Sequence, residues 1–121
     1  MSFFNFLKDL FVKDHFNDTT SKNLFDHYFF DLKYYLHQDA SVENFSFLLN
    51  ISSDRVTQIA TAYYRCSFQV LINEYRCKQL LLELERPMNA GLSMESIAKL
   101  SGFESSKQYT DYLKGTRTPI N

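Results

Sequence analysis

The residues that most often carry catalysis or bind metal are scarce in this sequence, and their spacing does no chemistry. Cys66 and Cys77, with His15, His27 and His37, match no metal-ligand pattern. No nucleophile stands at useful spacing from a base, and no Gly-rich run is present to cradle a phosphate. The expectation is a protein that is not an enzyme and needs neither metal nor cofactor. Two cysteines fit reduced thiols better than a disulfide scaffold, which points to the cytoplasm. What the chain does offer is polar side chains on helices, and this is clearest from Met94 to Pro119, MESIAKLSGFESSKQYTDYLKGTRTP. Ile97 and Ala98 precede Leu100, then come Ser101-Gly102-Phe103, and Tyr109, Tyr112 and Leu113 return at helical spacing. That pattern reads helix, tight turn, helix. Gly102 supplies the left-handed turn residue, Ala98 permits a close crossing, and Phe103 fills the angle. Two short crossed helices, the second polar on its outer face, have the shape that enters a DNA major groove.

The same pattern occurs earlier. Val42 to Ala60 reads VENFSFLLNISSDRVTQIA. Phe45 matches Ile97, Ser46 matches Ala98, Asn50 matches Gly102 and Ile51 matches Phe103. Val56 then matches Tyr109 and Ala60 matches Leu113, with one extra residue in the second turn. Asn is the next-best residue after Gly in a left-handed position. Ser41, Ser52 and Ser93 stand where helices need caps.

These units need elements to hold them. The periodicity predicts helices near Val42–Leu49 and Ser53–Tyr63, then a long helix carrying Phe68, Leu71, Ile72, Tyr75, Leu80, Leu81, Leu82 and Leu84 that ends before Pro87. Upstream, Phe3, Leu7, Leu10 and Phe11 recur at helical spacing. After the breaker run Asn17-Asp18-Thr19-Thr20-Ser21, a helix is expected from about Lys22 to His37, capped by Thr20 or Ser21, with Leu24, Phe25, Tyr28, Phe29, Leu32 and Tyr35 or Leu36 inward. These aromatic helices would cover part of the core or form a homodimer surface. The opening segment MSFFNFLKDLFV is interrupted by Asn5, Lys8 and Asp9 and lacks a cleavage site, so it reads as neither a secretory signal nor a membrane span.

Four blocks, from Phe68 onward, resemble the DNA-binding domain of AraC-type transcription regulators. They are Phe68-x-x-Leu71-Ile72-x-x-Tyr75-Arg76, the leucine run Leu80 to Leu84, the stretch Leu92-Ser93-Met94-x-x-Ile97-Ala98 to Gly102-Phe103, and Thr118-Pro119. The resemblance runs without gaps from Val42 to Lys114. It implies an all-α fold with two helix-turn-helix subdomains joined by a long central helix, preceded by two aromatic-rich N-terminal helices. The divisions it implies are 1–38 for the extension and 39–121 for the DNA-binding domain, the latter as 39–66, a linker helix 67–86, and 92–121. A linker of roughly 28 Å would set two recognition helices in successive major grooves, about 34 Å apart.

The implied function is a sequence-specific regulator whose partner is double-stranded DNA, read through residues 53–63 and 105–114, with no small-molecule effector domain recognisable. Carried over by position, the first recognition helix offers Asp54, Arg55, Thr57 and Gln58, and the second Ser106, Lys107, Gln108 and Asp111. Gln bonds adenine bidentately, Lys favours guanine or phosphate, and Asp accepts from cytosine N4. Charge runs the other way. Residues 41–121 hold nine Lys and Arg against eight Asp and Glu, and the first forty hold four Lys against six Asp, whereas DNA-binding domains are usually basic. Asp111 stands where the family often has Arg. The competing expectation is a protein-interaction module derived from the same fold, with weak or no DNA binding, associating through its N-terminal helices.

Overall fold

The computed structural model describes residues 18–117, and that part is built of helices and turns with no strand. The expected helix over Phe3 to Phe11 and the Thr118-Pro119 end lie outside the described residues. Among those described, α1 (Asp18–Asp26) runs into a π turn, His27–Asp31, and a 3-10 turn follows at Tyr34–Leu36. Then come α2 (Val42–Leu49), α3 (Ser53–Tyr64) and α4 (Phe68–Glu85). A 3-10 turn at Pro87–Asn89 leads to α5 (Met94–Leu100) and α6 (Ser106–Arg117). No helix of the described residues is long and apolar enough to cross a membrane.

The chain folds as two compact units. Among the described residues, one takes 18–34 together with Asp39–Leu71; the other takes Tyr35–Gln38 and 72–117. The first unit is held by aromatic rings. Phe25, Phe29, Phe45 and Phe68 are buried, with Phe45 stacked on Phe68 at 4.9 Å and edge-on to Phe25 at 5.1 Å. Such pairs add to the large apolar area these rings remove from water. Tyr34 closes the core at 4.6 Å from Phe45, and its hydroxyl both donates to the Ser41 carbonyl and accepts from the Ser41 N–H. The Tyr64 hydroxyl donates to Asp26, whose other oxygen pairs with Lys22 at 2.6 Å.

The helix expected over Lys22–His37 is not continuous. It starts earlier, at Asp18, so Thr20 and Ser21 lie inside it rather than capping it, and Ser21 is buried. It widens into the π turn and stops at Leu32, after which Lys33 takes a left-handed conformation at φ 54°. Beyond the break Tyr34 and Tyr35 are both buried, Tyr34 against Phe45 and Tyr35 against Tyr75.

The two turns matched in the sequence make the same hydrogen bonds. In the first, the Asn50 N–H bonds Phe47 O and the Ile51 N–H bonds Ser46 O; in the second, Gly102 bonds Lys99 O and Phe103 bonds Ala98 O. Asn50 sits at φ 57° and Gly102 at φ 96°, the left-handed exits that ordinary side chains resist. Ser41, Ser52 and Ser93 cap α2, α3 and α5 through their hydroxyls, as expected.

The second unit packs Leu80, Ile97, Ala98 and Phe103, with Cys77 and Tyr109 against them. Arg76 is also buried there. Its Nε donates to the Tyr35 carbonyl and its Nη2 to that of His37, both at 2.7 Å, with the guanidinium 5.9 Å from the Phe103 ring centre. A Cβ on Gly102 would lie 2.5 Å from the Tyr35 carbonyl oxygen and 2.9 Å from Arg76 Nε. Beneath the end of α4, buried Glu83 accepts from the Gln79 and Asn89 side-chain amides at 2.9 and 2.8 Å.

Candidate nucleic-acid interface

Each candidate residue takes its position from the core beneath it. In α3, Val56, Ile59 and Ala60 are buried. Asp54, Thr57 and Gln58 therefore fall on the other side and are exposed, while Arg55 is half-buried. Ser52 satisfies the Arg55 N–H at 3.0 Å, which fixes the first turn. The Arg55 Nη1 donates to Gln58 Oε1 at 3.4 Å, a long and exposed bond that competes little with a base. Thr57 lies on the rim of a hollow of about 250 Å³, lined by Ser41, Val42 and Glu43 at the start of α2 and by Ser67, Phe68 and Gln69 at the start of α4. Two helix starts supply backbone donors there, but the Glu43 carboxylate opposes an anion.

The start of α6 is more tightly tied. Ser105 caps it by accepting from the Gln108 N–H at 3.1 Å, and Gln108 Oε1 accepts from the Glu104 N–H at 2.7 Å. Ser106 is half-buried, and the Glu95 carboxylate accepts both its hydroxyl (2.8 Å) and its N–H (3.2 Å). Those two bonds hold the Glu95 carboxyl below its ordinary pKa of 4.5. Lys107 is exposed and ion-paired to Asp111 one turn on, at 2.7 Å. The pair raises the lysine's pKa and lowers the aspartate's.

Gln108 and Ser106 thus spend acceptor or donor capacity on the helix start. The side chains that reach outward along α6 are Lys107, Thr110, Asp111 and Lys114, all exposed at i, i+3, i+4 and i+7. Thr110 and Lys114, and Thr61 on α3, complete the outer stripes but were not among the sequence candidates. The signal for them was the same spacing counted one turn further. Thr110 returns its hydroxyl to the Ser106 carbonyl at 2.9 Å. The α3 stripe sets Asp54 against Arg55, and the α6 stripe sets Lys107 and Lys114 against Asp111. Among the described residues no group of His, Cys, Asp and Glu is placed to hold a metal ion.

The arrangement offers hydrogen-bonding side chains on two helices, each stiffened at its start, α3 backed by buried Val56, Ile59 and Ala60 and α6 by half-buried Tyr109 against the second core. No family model, curated protein or solved structure matches this chain.

Proposed function

We propose that this chain is a sequence-specific, double-stranded DNA-binding transcription regulator of the AraC-type helix-turn-helix kind, with α3 and α6 as recognition helices in two successive major grooves. The observation that supports it is the repeat. Two stretches of different sequence make the same helix, left-handed turn and helix with equivalent hydrogen bonds, and each second helix turns a polar stripe outward. In this reading Asp54, Thr57 and Gln58 on α3, with Arg55 beside them, and Lys107, Gln108 and Asp111 on α6 meet base edges. Ser106 positions the helix start through Glu95 and offers the backbone side.

Selection from a random duplex library across a salt series tests this. The expected outcome is an enriched sequence with two protected major-groove segments and an affinity that falls as salt rises. No enrichment and no salt dependence would overturn it.

A second reading, a protein-interaction module on the same fold, is favoured by the charge. The chain has a net charge of −1, and of the two exposed lysines on the outer face of α6, Lys107 is paired with Asp111. It predicts a protein partner and no DNA retained at physiological salt.

A further inference from the structure

The long helix α4 is polar inward and apolar outward over its second half. Its buried stripe from Ile72 on is Ile72, Arg76, Gln79, Leu80 and Glu83, at i, i+4, i+7, i+8 and i+11. The polar members are satisfied by the carbonyls of Tyr35 and His37 and by the Gln79–Glu83–Asn89 bonds. The outward stripe is Lys78, Leu81, Leu82 and Glu85, at i, i+3, i+4 and i+7, and every member is exposed. Leu81 and Leu82 are 57% and 54% exposed, and Leu84 and Met88 extend the apolar rim. A helix that turns its leucines to water and its carboxylate to the core has a face built for something other than its own core.

The charges on that face say what fits it. Read along α4, the outward stripe runs Lys78, Leu81, Leu82, Glu85. The order is positive, two leucines, negative. Reversed, the order puts a positive group opposite each negative one. We infer that the face binds a second copy of this chain, α4 against α4 in antiparallel orientation about a two-fold axis between Leu81 and Leu82. Leu81 of one copy then meets Leu82 of the other, and Lys78 meets Glu85 twice. A parallel pair would set like charge against like at each of these positions. Such an isologous contact is self-complementary by construction. The stripe is smaller than the roughly 800 Å² per partner of a stable interface, so the dimer is weak and concentration-dependent. The inference stands apart from DNA binding and from the N-terminal aromatic segment.

Sedimentation velocity of the full chain over a concentration series tests it. The wild type is expected to move reversibly from monomer towards dimer. Leu81→Asp with Leu82→Asp should remain monomeric with an unchanged helical circular dichroism signal, because both side chains are exposed. Lys78→Glu should weaken association about tenfold, and Lys78→Glu with Glu85→Lys should restore it. The charge variants decide the matter if the double aspartate variant misfolds. A wild type that stays monomeric overturns the inference, including the case where the double aspartate variant melts earlier because the face is covered within one chain. So does a dimer that survives the double aspartate variant, or one that Lys78→Glu leaves equally tight.

Discussion

Gly102 is fixed by two independent constraints, and only one of them is local. Its φ of 96° disfavours any side chain, and the Tyr35 carbonyl occupies the space a Cβ would need. Gly102→Ala therefore adds a steric clash to left-handed strain and is expected to cost about 3 kcal/mol or more, read from urea unfolding. The equivalent Asn50, at φ 57°, carries its side chain without the clash, so Asn50→Gly should be nearly neutral. Arg76 spends its charge on two main-chain carbonyls. Arg76→Met keeps the bulk but removes both charged hydrogen bonds, and should destabilise by about 2–3 kcal/mol. Glu95 sets a pH dependence. Its folded pKa lies below 4.5, so the Ser106 contact contributes fully above that ordinary value and is lost as pH falls through the lowered one. Carboxyl chemical shifts should show a Glu95 midpoint below 4.5 that returns towards 4.5 in Ser106→Ala.

At the scale of elements, helix boundaries were the most legible part of the sequence. Serines at Ser41, Ser52 and Ser93 announce helix starts with their own hydroxyls. These signals are local, so a sequence carries them in full. Ser52→Ala is expected to lower stability by about 1 kcal/mol. What sequence could not supply was the end of the first aromatic helix. Its apolar period continues past Leu32, and the residues beyond the break pack on partners distant in the chain, Phe45 for Tyr34 and Tyr75 for Tyr35. The leucine run divides in a way its spacing does not announce: Leu80 is buried while Leu81, Leu82 and Leu84 are exposed, and Glu83 takes an inward position with Asn89 beyond the helix end as a partner. The outer stripes of α3 and α6 were readable by spacing, but the Lys107–Asp111 pair changes what they offer. If α6 reads DNA, Asp111→Asn should release Lys107 and tighten binding several-fold. Lys107→Glu should weaken it and reduce the salt slope by about one. Both are read by fluorescence titration at several salt concentrations.

For the whole molecule, the two units have cores of different character, aromatic rings in one and aliphatic side chains around Phe103 in the other. Phe45→Ala and Phe103→Ala are each expected to cost about 3–5 kcal/mol. Hydrogen exchange should place the first loss at Phe25, Phe29 and Phe68, and the second at Leu80 and Ile97, if each core is its own cooperative group.

Arg76 also governs where the polypeptide tolerates cutting. The two oxygens that receive its guanidinium belong to Tyr35 and His37, upstream of the first repeat, at the end of the stretch that sequence patterning alone reads as one helix. A fragment beginning at Asp39 keeps both helix pairs yet removes two main-chain carbonyls that hold a sequestered guanidinium. One beginning a few residues earlier, ahead of Tyr34, retains them. The short stretch Tyr35–Gln38 is a keystone for a unit that resumes only at Ile72, its carbonyls holding a side chain 41 and 39 residues further along.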